Sequence, residues 1–204
     1  MRSFTSKFIW HHGRRVSHLD LPYSPIAPQS LITRRYDLAL SHAFQDTKGT
    51  QILSRHVQRA LCARWNGYLP PGSCLITELP NGDTERGGGN QFGASSIAVL
   101  PTMRYPVDVR WHQDLVYNAV WSLLVEIGQW NAEHLAPRPG DDAHKIIKRV
   151  LMTGVGTGYG KVSAARCAQQ MILAIRHFAQ GVPDEAVWDN VSNLIQEVNV
   201  TRGL

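Results

Sequence analysis

The sequence predicts an α/β fold, a three-layer α/β/α sandwich on a mixed, largely parallel sheet. Three observations predict it. Short apolar runs of strand character alternate with longer segments whose apolar residues recur at three- and four-residue steps. A strand-then-helix order of this kind covers both faces of a sheet with helices. No internal repeat or linker interrupts the pattern, so the 204 residues read as one domain, 20–204, behind a basic N-terminal segment, 1–19.

Each element has its own signal. Residues 36–46 ("YDLALSHAFQD") predict a short helix. Residues 50–66 predict a longer one, with Ile52, Leu53, Val57, Ala60, Leu61 and Trp65 on one side and Gly67 as the stop. "LPPGS" turns the chain into a strand at 74–79 ("CLITEL"). "PNGDTERGGGNQFG" is polar and dense in glycine and reads as a surface excursion, with a lid over a site as the alternative. A second strand, 95–103 ("SSIAVLPTM"), is stopped by Pro101. Helix 113–131 is the clearest: Leu115, Val116, Ala119, Val120, Leu123, Leu124 and Ile127 form one stripe, with Trp121 and Trp130 beside it as core anchors. "IIKRVLMTG" (146–154) reads as a buried strand, and Ser163 as the N-cap of a helix at 164–179. A last helix, 184–198, places Trp188 against the C-terminal segment.

Between the strand at 146–154 and the helix at 164–179 lies "GVGTGYGKVS", with glycine at 154, 156, 158 and 160. Glycine loses the most freedom on ordering, so this density implies that backbone approaches something closely. At the carboxyl end of a strand, before a helix start, such a loop can turn several N–H groups toward an anion. Two familiar phosphate motifs fail. GxGxxG starting at Gly154 needs glycine where Tyr159 stands, and GxxxxGK[ST] needs glycine at Val155 and Ser or Thr at Val162. A glycine-rich strand–helix turn with no ligand is the plain alternative.

The formal net charge is +5, and much of the excess lies in "MRSFTSKFIWHHGRRVSHL", where Arg2, Lys7, Arg14 and Arg15 precede the first acid, Asp20. A disordered basic tail, a mitochondrial presequence and a misread exon all fit that composition. A nucleic-acid site is a weak fourth reading, because the charge is modest and no aromatic–basic stripe recurs. No apolar run reaches the length of about 18 residues that a membrane span needs. Cys62, Cys74 and Cys167 form no CxxC pair and read as buried thiols in a reducing compartment; His11-His12 has no partner spacing. Neither a metal nor a cofactor is expected. The compartment expected is cytoplasmic or nuclear, or mitochondrial if the basic segment is a presequence.

"MTGVGTGYGKVSAARCAQQMILAIRHF", together with "VLPTMRYPVDVRW" and "DLVYNAVWSLL", resembles the macrodomains, the ADP-ribose-binding fold, and their fungal-type members in particular. The resemblance covers roughly residues 24–180. It implies that the backbone of Gly154, Val155, Gly156, Thr157, Gly158, Tyr159 and Gly160 cradles the distal phosphate and ribose, with Tyr159 as a wall across the ribose. It also implies that Asp20 accepts from the adenine amino group. The family's first ligand loop, approximately S-P-A-N-S-[YF]-G-x-[ML]-D-G-G-[FY]-D, corresponds to "SPIAPQSLITRRYD". Ser24, Pro25, Tyr36 and Asp37 fit. Ala27 replaces the asparagine that holds the ribose, Ser30 a glycine, Thr33 the aspartate, and Arg34-Arg35 the paired glycines. The two arginines would bring charge, in place of bare backbone, to a diphosphate.

Asp37 occupies the position whose carboxylate activates water in hydrolytic relatives; an acid there would also suit a helix start. The resemblance therefore leaves three functions open. One is a module binding ADP-ribose or ADP-ribosylated proteins. Another is an ADP-ribosyl hydrolase or ADP-ribose 1″-phosphate phosphatase using Asp37. The last is a degenerate scaffold that binds nothing.

Overall fold

The computed structural model describes residues 6–9, 52–79, 94–104, 106–135, 146–181 and 188–204. Asp20, the first ligand loop, Asp37, the helix expected at 36–46 and the polar stretch 80–93 lie outside the described residues. Among the described residues the chain is mixed α/β. In order it forms β1 (Ser6–Ile9), α1 (Ile52–Trp65), β2 (Leu75–Glu78), β3 (Ser96–Val99), α2 (Leu115–His134), β4 (Val150–Leu151), α3 (Ala164–Gln180), α4 (Trp188–Val200) and a 3-10 turn (Thr201–Gly203).

The strand order is β2-β3-β1-β4. Strand β1 runs parallel to β3, with Lys7 opposite Ile97, and parallel to β4, with Ser6 opposite Val150. Strand β2 is antiparallel to β3, with Leu75 opposite Val99. A strand at 6–9 was not expected within the basic segment, yet it lies between β3 and β4.

Successive strand residues point to opposite faces, and the cores follow that rule. Leu75, Ile97 and Val99 join Leu53, Val57 and Leu61 of α1 in one cluster. Ile76 and Ala98 join Leu115, Val116, Ala119, Val120 and Leu123 of α2, with Cys167 and Ala174 of α3, in another. Each fully buried leucine or valine in these clusters contributes about 1.5–3 kcal/mol relative to exposure.

Helix α1 ends as its sequence dictates. Asn66 and Gly67 take positive φ (49° and 82°), and the Gly67 N–H donates to the Leu61 carbonyl at 3.0 Å. Helix α2 starts at Asp114 without a side-chain cap, because Arg202 holds that carboxylate at both oxygens.

Strand β4 is shorter than the 146–154 run predicts. The Asn131 side chain of α2 donates to the Ile147 carbonyl (3.0 Å) and accepts from the Ile147 N–H (2.8 Å). Both backbone groups of Ile147 are thus taken by a side-chain amide, and only Val150 and Leu151 pair in the sheet. Two further expectations are corrected. Trp188 is 81% exposed and does not pack the C-terminal segment, and Cys62 is exposed, whereas Cys74 and Cys167 are buried.

Candidate functional site

Because β1, β3 and β4 are parallel, the chain leaves β3 and β4 at the same edge of the sheet. The segments that follow, 100–114 and 152–163, meet there: the Val109 N–H donates to the Gly160 carbonyl at 3.1 Å. Beside this junction the Asp108 carboxylate lies 2.6 Å from Arg110 Nη2 and 3.8 Å from Lys161 Nζ. Hydrogen bonds from the Arg110 guanidinium, and then from the Arg110 backbone N–H, hold the Asp108 carboxyl down at about 2. The edge therefore carries one fixed anion with two cations gathered on it.

The glycine turn folds upon itself. Val155, Gly156 and Gly160 are buried, whereas Gly154, Thr157, Gly158 and Tyr159 are exposed. The Val162 N–H donates to the Gly156 carbonyl (3.1 Å) and the Lys161 N–H to the Gly158 carbonyl (3.0 Å). The Val155 N–H donates to Cys167 Sγ at 3.2 Å, anchoring the turn to α3. Gly156 has φ 73°, which an L side chain adopts only at a cost. A Cβ at Gly160 would collide with the Gly156 carbonyl oxygen and lie 2.8 Å from Val109 Cγ2. Around Gly158 there is open space. No acceptor among the described residues takes the N–H groups of Gly156, Thr157, Gly158 and Gly160. Gly156 and Gly160 are buried, so their amides favour an anion or a polar ligand atom, while Thr157 and Gly158 are exposed.

Helix α3 begins directly behind the turn. The Ser163 hydroxyl accepts from the Arg166 N–H (3.1 Å), as the predicted N-cap should, and donates to the Leu204 carbonyl (2.7 Å). The free N–H groups and dipole of this helix start add positive potential beside the loop. Arg166, 6% exposed, donates to the carbonyls of Arg110 (3.3 Å), His112 (3.3 Å) and Gln113 (2.5 Å). The fully buried Gln170 donates to the Gln113 carbonyl (2.7 Å) and to Thr201 Oγ1 (2.9 Å), and accepts from the Tyr117 N–H (3.3 Å). These two side chains pin segment 108–114 to α3, so the loop bearing Asp108 and the glycine turn are held as one unit.

The structure thus brings Gly154 through Gly160 together at one turn, while Asp20 and Asp37 lie outside the described residues. Sequence reasoning missed Asp108, Arg166 and Cys167 as supports of that turn. The stretch "DVR" did carry a signal for the first, since an acid two residues before an arginine can fold back on it. Arg104 sits 5.9 Å over the Tyr68 ring, and His112 stacks on Trp111 at 5.4 Å. Among the described residues no helix is long and apolar enough to cross a membrane. No protein-family model matches the chain, and no curated protein matches it.

Proposed function

We propose that this chain binds ADP-ribose, free or attached to protein, through the glycine turn 154–160, within a macrodomain-like three-layer α/β/α sandwich. One observation carries the reading. Amides of Gly156, Thr157, Gly158 and Gly160 stand without an acceptor among the described residues, at the start of α3 and beside the carboxyl ends of parallel strands. That is the place and the chemistry for a diphosphate held by backbone. The resemblance of "MTGVGTGYGKVSAARC" to the second ligand loop of macrodomains names the sugar nucleotide.

Calorimetric titration with ADP-ribose tests it. Wild type binds, and Gly158→Glu does not, because the new carboxylate places bulk and like charge against the phosphates. Gly158→Ala is the folding control, since a Cβ there meets no atom of the described chain. An affinity unchanged by Gly158→Glu removes the turn from the site.

A further inference from the structure

Helix α4 and the 3-10 turn after it lie against the domain with little apolar burial. Of the 13 residues of α4, Val198 alone is buried, with Val191 and Leu194 half-buried. Polar ties at spaced points hold the segment instead. Glu197 of α4 meets Nε2 of the buried His177 at 3.2 Å and forms an ion pair with Arg176. Thr201 Oγ1 accepts from Nε2 of Gln170 at 2.9 Å. Arg202 binds both oxygens of Asp114, at 3.0 and 2.6 Å. The Leu204 carbonyl accepts from Ser163 Oγ at 2.7 Å.

The partners of the last three ties also place the glycine turn. Ser163 caps α3 just where the turn ends. Gln170 holds the Gln113 carbonyl, and Asp114 closes the segment 108–114 whose Val109 meets Gly160. We propose that residues 188–204 form a strap that lifts off as one unit while the rest of the domain stays folded, and that its release loosens the turn 154–160. Local opening of this kind belongs to segments with few buried apolar contacts. Helical hydrogen bonds form cooperatively, so α4 leaves whole. The ion pairs of Arg176 and Arg202 are part-exposed, so water and salt take over their charges at little cost. Once the strap is off, Ser163 and Gln170 each lose a partner and Asp114 loses its cation. The start of α3 and segment 108–114 are then held less tightly. Release of the strap therefore also lowers the turn's affinity for its ligand, which is ADP-ribose on the reading above.

Hydrogen–deuterium exchange of the full chain, read by mass spectrometry in urea below the unfolding transition, tests the strap. Amides of α4 should exchange together and faster than those of α2. Arg202→Ala should speed exchange in 188–204 by about tenfold or more and carry the amides of 155–163 with it, while α2 keeps its wild-type rate. Glu197→Ala cuts a different tie and should do the same; its exposed position keeps the test decisive if the first variant fails to fold. Exchange of α4 only in step with α2 would overturn the strap. A turn that keeps its wild-type exchange in both variants would overturn the coupling. Calorimetry should show weaker ADP-ribose binding by Arg202→Ala, and an affinity equal to that of wild type would overturn the link to the ligand. A wild type that binds no ADP-ribose would defeat the reading of the turn, and the exchange rates would still decide the strap.

Discussion

Gly160→Ala separates a turn held shut by its own backbone from one kept open only for a ligand. The added methyl has nowhere to go. It would meet the Gly156 carbonyl oxygen, which accepts from Val162 inside the turn, and it would lie 2.8 Å from Val109 Cγ2. Backbone cannot yield as a side-chain tip can, so the turn or segment 108–114 must move. Overpacking of this kind costs about 1–3 kcal/mol. Movement of segment 108–114 would also strain the Val109–Gly160 hydrogen bond, worth about 1 kcal/mol. A total of about 2–4 kcal/mol corresponds to a Tm lower by roughly 4–16 °C for a chain of this length. Gly158→Ala is the matched control: φ is not positive there and a Cβ meets nothing. It should change stability by no more than about 0.5 kcal/mol. Thermal unfolding followed by circular dichroism reads both variants without ligand. Equal melting temperatures for the two would refute the packing ascribed to this turn.

Two further outcomes are expected. Burial, and then the Arg176 charge, lower the pKa of His177 below the ordinary histidine value. The stability this neutral ring contributes is therefore present above about pH 6.5 and lost as pH falls through the lowered folded value. Tm should drop between pH 7 and 5, and His177→Gln should flatten that slope; parallel slopes would exclude the ring. Arg166→Met removes three hydrogen bonds to loop carbonyls and should cost about 3 kcal/mol or more in urea unfolding. Arg166→Lys should restore little of it, because a single ammonium cannot reproduce the planar fork.

Helices α1 and α2 were legible because their buried faces are apolar at helical spacing, and Ser163 because a cap is a local signal. Helix α3 was legible in extent but not in orientation. Its buried side includes Arg166, Gln170 and His177, while Ile172 and Ile175 are 64% and 50% exposed. Hydropathy alone would have turned it the other way, since the partners that satisfy those polar groups come from distant segments. Strand β1 was missed because four residues, "SKFI", are too few to show a period. The contraction of β4 was not legible because one amide, on Asn131, competes for the backbone of Ile147. At the site, the turn's place between strand and helix could be read from sequence. Its partner segment, 106–114, could not, because the two meet through a backbone hydrogen bond that no residue pattern encodes.

The alternating glycines do not all answer to one cause. Gly156 is required by its positive φ and Gly160 by the close approach of the Gly156 carbonyl. A Cβ at Gly154 would lie 2.9 Å from Thr157 Oγ1. These constraints hold whether or not a ligand ever arrives, so the count of glycines is weak support for binding by itself. Gly158 differs: it is exposed, unstrained and uncrowded, and the chain alone gives no reason for a bare backbone there. What favours an anion is the state of the amides, four of them without an acceptor among the described residues while the neighbouring Val155, Lys161 and Val162 amides all find one. The exposed Thr157 and Gly158 amides are open to water. At the buried Gly156 and Gly160, a turn built only to close would have satisfied these amides internally, as Val162 and Lys161 are satisfied, because a buried N–H left without a partner costs about 1–3 kcal/mol.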